Sequence, residues 1–237
     1  MFIIVKKKDL LLFSALILSL GVYALFSLLP ASVATLAPAR VGEARTIVID
    51  AGHGGEDGGA VSPDGVIESG INLAVAQDLN ALLTLLGEDT VMTRTEDISI
   101  YSEGARTLRQ KKRSDLENRV ALVNGTPNAM LLSIHQNSLP QSPKTHGAQV
   151  FFGGVEGSEQ VAQSVQTALN RAINDGDKDA KRISDDVFLM KHVTAPAVLV
   201  ECGFLSNREE TAKLQQTDYQ TKLAVTITAG LLNTQEK

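Results

Sequence analysis

Three side chains able to work on a metal or a proton stand at the ends of three apolar runs. "IVIDAGH" ends in His53, "MLLSIH" ends in His135, and "AVLVE" ends in Glu201. In open α/β sheets, ligands bind outside the carboxyl ends of the strands, so residues far apart in sequence can meet in one crevice. Zinc holds imidazole nitrogen at about 2.0–2.1 Å, which places two donor atoms roughly 3.3 Å apart. Only neighbouring strands, about 4.8 Å apart, deliver that easily. The strands carrying His53 and His135 are therefore expected to be adjacent.

Two histidines leave a catalytic zinc one protein ligand short, and a carboxylate completes the His2Glu pattern while keeping a position open for water. Glu68 is one candidate, close to where the glycine-rich loop "GHGGEDGGA" returns. Asp50, Glu56 and Asp57 compete with it, and spacing alone does not choose. The loop has neither the G-x-x-x-x-G-K-[ST] nor the G-x-G-x-x-G pattern, so it is not read as a phosphate cradle. Its glycines let backbone pass close to a substrate. His146 and His192 read as surface or packing residues, and Cys202 as a buried thiol without an adjacent base.

Those residues need an α/β scaffold. From residue 45, short apolar runs alternate with helix-period segments, the pattern of a single domain with a mostly parallel sheet. Strands are expected at Thr46–Asp50, Asp89–Thr93, Ala129–Ile134, Ala148–Phe152, Val187–Met190 and Ala197–Glu201. A helix is expected over Ile71–Leu86, where Val75, Leu79, Leu82, Leu83 and Leu86 make one face and Gly87 supplies the stop. A second is expected from Ser114, with Glu117 completing a capping box. Two more fall near residues 158–173 and 218–232. The stretch "YSEGARTLRQKKRSD", residues 101–115, carries five basic residues. It reads either as a solvated lead-in to a helix or as a loop facing an anionic polymer.

The bulk numbers narrow the setting. The chain has 237 residues and a formal charge of −5, so it lacks the basic surplus that nucleic-acid binding usually needs. One cysteine excludes both an internal disulfide and a multi-cysteine zinc site. Residues 10–29, "LLLFSALILSLGVYALFSLL", are uncharged, apolar and about long enough to cross a bilayer. Lys6, Lys7 and Lys8 precede them, which keeps that end cytoplasmic and sends the rest outside. The expected division is a membrane anchor at 1–30, a linker at 31–44 and a catalytic domain at 45–237. Signal cleavage after Ser32-Val33-Ala34 or Ala37-Pro38-Ala39 is the alternative to a retained anchor.

"IVIDAGHGGEDGGA", "ESGINLAVAQDL", "VMTRTED", "LENRVALVN", "LLSIHQNS" and "PAVLVECGFLSN" occur in the order seen in zinc-dependent N-acetylmuramoyl-L-alanine amidases of the amidase type 3 family. The chain resembles that family over roughly residues 45–233, and most resembles its sporulation, germination-specific type. The resemblance implies that His53, Glu68 and His135 hold Zn2+, that Glu201 is the catalytic glutamate, and that Arg119 supports the site. It implies a sheet of about six strands flanked by helices. It also implies hydrolysis of the bond between the muramic acid lactyl group and L-alanine, in cortex maturation (muramic lactam formation) and germination. Peptidoglycan, the cytoplasmic membrane and an activating protein are the implied partners. Gln136 departs from the alanine often found after "SIH", a change expected to touch substrate fit. A zinc peptidase acting on other peptides, or a wall-binding module without catalysis, is the alternative activity.

Overall fold

The computed structural model describes residues 45–234. The expected membrane segment at 1–30 and linker at 31–44 lie outside the described residues. Among the described residues, no helix is long and apolar enough to cross a membrane.

The chain runs β1 (Thr46–Ala51), α1 (Glu68–Leu85), β2 (Asp89–Met92), α2 (Leu108–Gly125), β3 (Ala129–Asn137), β4 (Gln149–Phe152), α3 (Ser158–Ala172), β5 (Lys181–Arg182), α4 (Phe188–His192), β6 (Ala197–Phe204), α5 (Arg208–Leu214) and α6 (Thr217–Leu232). The six strands form one sheet in the order β2-β1-β3-β6-β4-β5. The four strands from β2 to β6 are parallel, and β4 runs antiparallel to β6. β1 and β3 are neighbours from Thr46↔Ala129 to Ala51↔Ile134, the adjacency that a shared ligand site requires.

Strand alternation sorts side chains to two faces. Ile47, Ile49, Met130, Leu132, Ile134, Val198 and Val200 pack with Val75, Leu79 and Leu83 of α1, Val165 of α3 and Ile227 of α6. Val48, Leu131 and Leu199 point the other way, against Val123 of α2 and Leu189 and Met190 of α4. Burial on both faces accounts for the near-continuous apolar runs of the central strands.

Two sequence expectations are overturned. Val187–Met190 is not a strand: Phe188–His192 is the short helix α4, and Leu189 and Met190, adjacent in sequence, are both buried. Four apolar residues do not distinguish a strand from a helical turn. The remaining strand is Lys181–Arg182, exposed and basic, paired with β4 at the sheet edge. In addition, α2 starts before Ser114. Thr107 accepts from the Gln110 amide at 3.2 Å, and the Gln110 side chain accepts from the Thr107 amide at 3.1 Å, a complete capping box. The Ser114 hydroxyl instead accepts from the Ser102 amide, and Glu117 pairs with Arg113. α5 was not anticipated.

The cap yields a direct check. Thr107→Ala is expected to cost about 1 kcal/mol of unfolding free energy in urea and to speed hydrogen exchange at the Gln110 amide. Ser114→Ala should leave that amide's protection intact.

Candidate metal centre

β1 ends at Ala51, and the chain must turn sharply to return toward α1. His53 takes a φ of +61°, a conformation uncommon for residues with a side chain. The Arg119 guanidinium donates to the His53 carbonyl at 2.8 Å, and Asp57 meets His53 Nδ1 at 3.0 Å. Glycines make the space. A Cβ on Gly59 would lie 2.5 Å from Glu68 Oε2 and 2.6 Å from the His53 ring, and one on Gly52 would lie 2.3 Å from the His135 ring. The glycines thus clear room for the candidate ligands themselves, where the sequence suggested clearance for a substrate.

Glu68 opens α1, and its carboxylate is buried between the two imidazoles. Oε2 lies 3.4 Å from His53 Nε2, and Oε1 lies 2.9 Å from His135 Nδ1. The Ala60 amide donates to Oε2 at 2.8 Å; the Asn72 side chain and the Gln136 amide donate to Oε1, each at 3.0 Å. Burial would raise this carboxyl, but His135 and His53 outweigh it and hold Glu68 down to about 2. Burial would likewise lower His135, yet the hydrogen bond to Glu68 and the charges of Glu201 and Asp50 raise it. One donor atom from each of His53, Glu68 and His135 falls within 4.8 Å of the others. Two neutralisable nitrogens and a carboxylate so spaced suit zinc, whose donors stand roughly 3.3 Å apart in a tetrahedral site.

Glu201 sits beside this group because β6 pairs with β3 in register, His135 directly against Glu201. Its Oε2 is buried and has no hydrogen-bond partner among the described residues. Burial, with the nearby Glu68 charge adding to it and His135 opposing, pushes Glu201 up to about 7. A carboxyl poised there can exchange protons near neutrality.

A buried layer beneath the centre holds these pieces in place. Arg119 of α2, 2% exposed, donates to Asp50 at 2.6 Å, to Asp115 at 2.8 Å and to the Ala51 carbonyl at 2.9 Å. Burial works against its charge, but Asp50 and Asp115 keep the guanidinium above its ordinary range. Thr93 and Ser133 complete the shell of Asp50, at 2.9 and 2.6 Å. Arg94 is the residue the sequence reading missed. It is buried and donates to the carbonyls of Ala51, Gly52, Ser69 and Glu96. Nothing in the string "VMTRTED" shows that the partners of its arginine are main-chain carbonyls.

The competing carboxylates have other contacts. Asp50 is turned to Arg119, Asp57 touches His53 from the far side of the ring, and Glu56 pairs with Lys111 and Tyr101 at the surface. The basic stretch 101–115 is therefore partly a clamp on the glycine loop, since Lys112 also meets Asp57. Gln136 is buried, and its side-chain amide donates to Asn72 Oδ1 at 3.2 Å, next to the Glu68 carboxylate that Asn72 also contacts. His146 and His192 are exposed and away from the group. Cys202 is buried, and burial raises its thiol well beyond the reactive range.

A mostly parallel α/β sheet thus carries two imidazoles, a carboxylate and a further glutamate at its carboxyl rim, a donor set of the kind that hydrolytic metal sites use. Residues 47–233 match the family model described as N-acetylmuramoyl-L-alanine amidase, and the chain belongs to that family. The germination-specific N-acetylmuramoyl-L-alanine amidase of Bacillus subtilis is 39% identical over 189 residues, 79% of this chain and 78% of that one. The CwlD amidase of Clostridioides difficile, solved in complex with the GerS lipoprotein, superposes with a TM-score of 0.76 at 37% identity, covering 80% of this chain and 98% of that one. The catalytic domain of the amidase CwlV from Bacillus (Paenibacillus) polymyxa var. colistinus gives a TM-score of 0.67 at 28% identity, covering 80% and 97%.

The raised Glu201 has a consequence for the metal-free protein. Its folded pKa of about 7 exceeds the ordinary 4.5, so the folded state holds the proton longer and stability falls as pH rises between those values. Glu201→Gln should flatten that decline and make the metal-stripped protein more stable at pH 8 by on the order of 1–3 kcal/mol, read from urea denaturation with chelator present.

Proposed function

We propose that this protein is a zinc-dependent N-acetylmuramoyl-L-alanine amidase, with His53, Glu68 and His135 as the metal ligands and Glu201 as the catalytic acid–base. One observation carries the reading: Glu201 lies in register beside His135, with a buried carboxylate oxygen that has no partner among the described residues, at the edge of a three-donor group. A zinc ion held by those donors supplies Lewis acidity, lowering the pKa of water and offsetting negative charge on the carbonyl oxygen.

The protein's own part is proton handling and orientation. Glu201 accepts a proton from the attacking water as its oxygen bonds to the lactyl carbonyl carbon of muramic acid. As the carbon–nitrogen bond breaks, Glu201 returns that proton to the departing nitrogen of L-alanine. The products are the lactyl carboxylate on the glycan and a free stem peptide. The apolar surroundings that raise Glu201 keep it able to work in both directions near neutral pH. Arg119, through the His53 carbonyl and Asp50, keeps the loop from moving during the cycle.

The setting follows the same reading. Residues 1–30 anchor the protein in the cytoplasmic membrane and 31–44 link the anchor to an extracytoplasmic catalytic domain, supported by the apolar run and the lysines before it. The likeness to a germination-specific amidase supports work on spore cortex peptidoglycan. That the Clostridioides difficile relative was solved with a lipoprotein supports an activating protein partner for this chain too.

Two variants separate the roles. Glu201→Gln is expected to keep zinc near the wild-type ratio by elemental analysis while release of stem peptides from muropeptides falls by at least about a hundredfold. His135→Ala should lose zinc together with activity; full metal content in that variant would remove His135 from the ligand set.

A further inference from the structure

We propose that Asp57 is a positioning residue for His53, and that Lys112 of α2 holds Asp57 in place, so that the chain Lys112–Asp57–His53 sets how tightly the candidate centre grips its metal. The inference rests on the metal reading above and adds to it two residues that touch no metal.

The geometry begins with the imidazole. Nε2 of His53 faces Glu68 and the candidate centre, so it must be the bare nitrogen when a cation binds. Nδ1 then carries the hydrogen and points at Asp57 Oδ2, 3.0 Å away. An ionised carboxylate only accepts hydrogen bonds, so this contact permits one tautomer and one ring orientation. The pairing is not a helical neighbour contact, because His53 has a φ of +61°. A tight turn makes it: the Gly54 amide donates to the Asp57 carbonyl at 2.8 Å, and the Asp57 amide donates back to the Gly54 carbonyl at 3.2 Å. That turn brings Asp57 round to the ring it must hold.

Lys112 reaches the same carboxylate, with Nζ 3.1 Å from Oδ2 and 3.4 Å from Oδ1. It stands on the helix that carries Arg119, about two turns before it, and so on the same face. One helix therefore grips His53 at both ends: Arg119 at the carbonyl, and Lys112 through Asp57 at the ring. Lys111 provides the internal comparison. It carries the same charge and pairs with Glu56 of the same loop, but Glu56 touches none of the candidate ligands.

The test is zinc affinity of the full chain, measured by competition with a chromophoric chelator. Asp57→Ala is expected to weaken binding about 10- to 100-fold, and Asp57→Asn less, because the amide oxygen still accepts from Nδ1. Lys112→Ala should weaken it about two- to fivefold, the scale of a partly exposed ion pair. Lys111→Ala should leave it unchanged. The diagnostic measurement is the cycle, in which Lys112→Ala has no further effect once Asp57 is alanine. Should Asp57→Ala misfold by circular dichroism, the same cycle in the Asp57→Asn background replaces it, with a reduced Lys112 effect expected. Wild-type affinity in the Asp57 variants, or an undiminished Lys112 effect without the Asp57 carboxylate, would overturn the proposal while leaving the ligand assignment standing. A wild-type chain that binds no zinc would sink the ligand assignment itself.

Discussion

Burying a guanidinium among carboxylates is the constraint on which the site is built. Arg119 and Asp50 are both almost wholly removed from solvent, and an ion pair in that position is expensive unless each remaining donor and acceptor is used. Here they are used: Asp115, Thr93, Ser133 and two main-chain carbonyls complete the set. The requirement ties β1, β3, α2 and the residue that follows β2 together beneath the glycine loop. Removing one member strands a charge, whereas moving the whole group would uncouple the sheet from the loop that presents His53.

Much of this was legible in the sequence because strand ends are legible. Central strands buried on both faces read as apolar runs, so the polar residue ending each run identified itself. Adjacency of β1 and β3 followed from the short reach of two imidazoles to one ion. That Glu68, and not Asp50, Glu56 or Asp57, stands between the two imidazoles is not legible from spacing. It depends on a loop whose φ angles place Asp57 behind the ring and whose close approach leaves Gly59 no room for a side chain. Arg94 was hidden for a related reason. Its role is to satisfy carbonyls from three separate segments, and hydropathy records nothing about main-chain acceptors.

The misread elements share a cause as well. Val187–Met190 and Lys181–Arg182 are short, so too few residues are present for a period to show. The start of α2 is hidden from a hydropathy reading because its first two turns are polar on nearly every side, and they pack on the glycine loop through charges. Where charge contacts replace apolar packing, a hydrophobic stripe marks only the part of a helix that faces the core. The basic stretch before Asp115 then makes sense as a support of the glycine loop, since Lys111 pairs with Glu56 and Lys112 with Asp57.

The two-residue strand at the far edge of the sheet carries one more implication. A free strand edge invites another chain to add to it, and proteins commonly blunt such edges with brevity and lysine. Lys181 and Arg182 supply both devices, being exposed, cationic and too few to template a long ladder. A second molecule approaching in register would set like charges opposite one another across the seam, so strand-on-strand aggregation at this edge is discouraged however crowded the protein becomes.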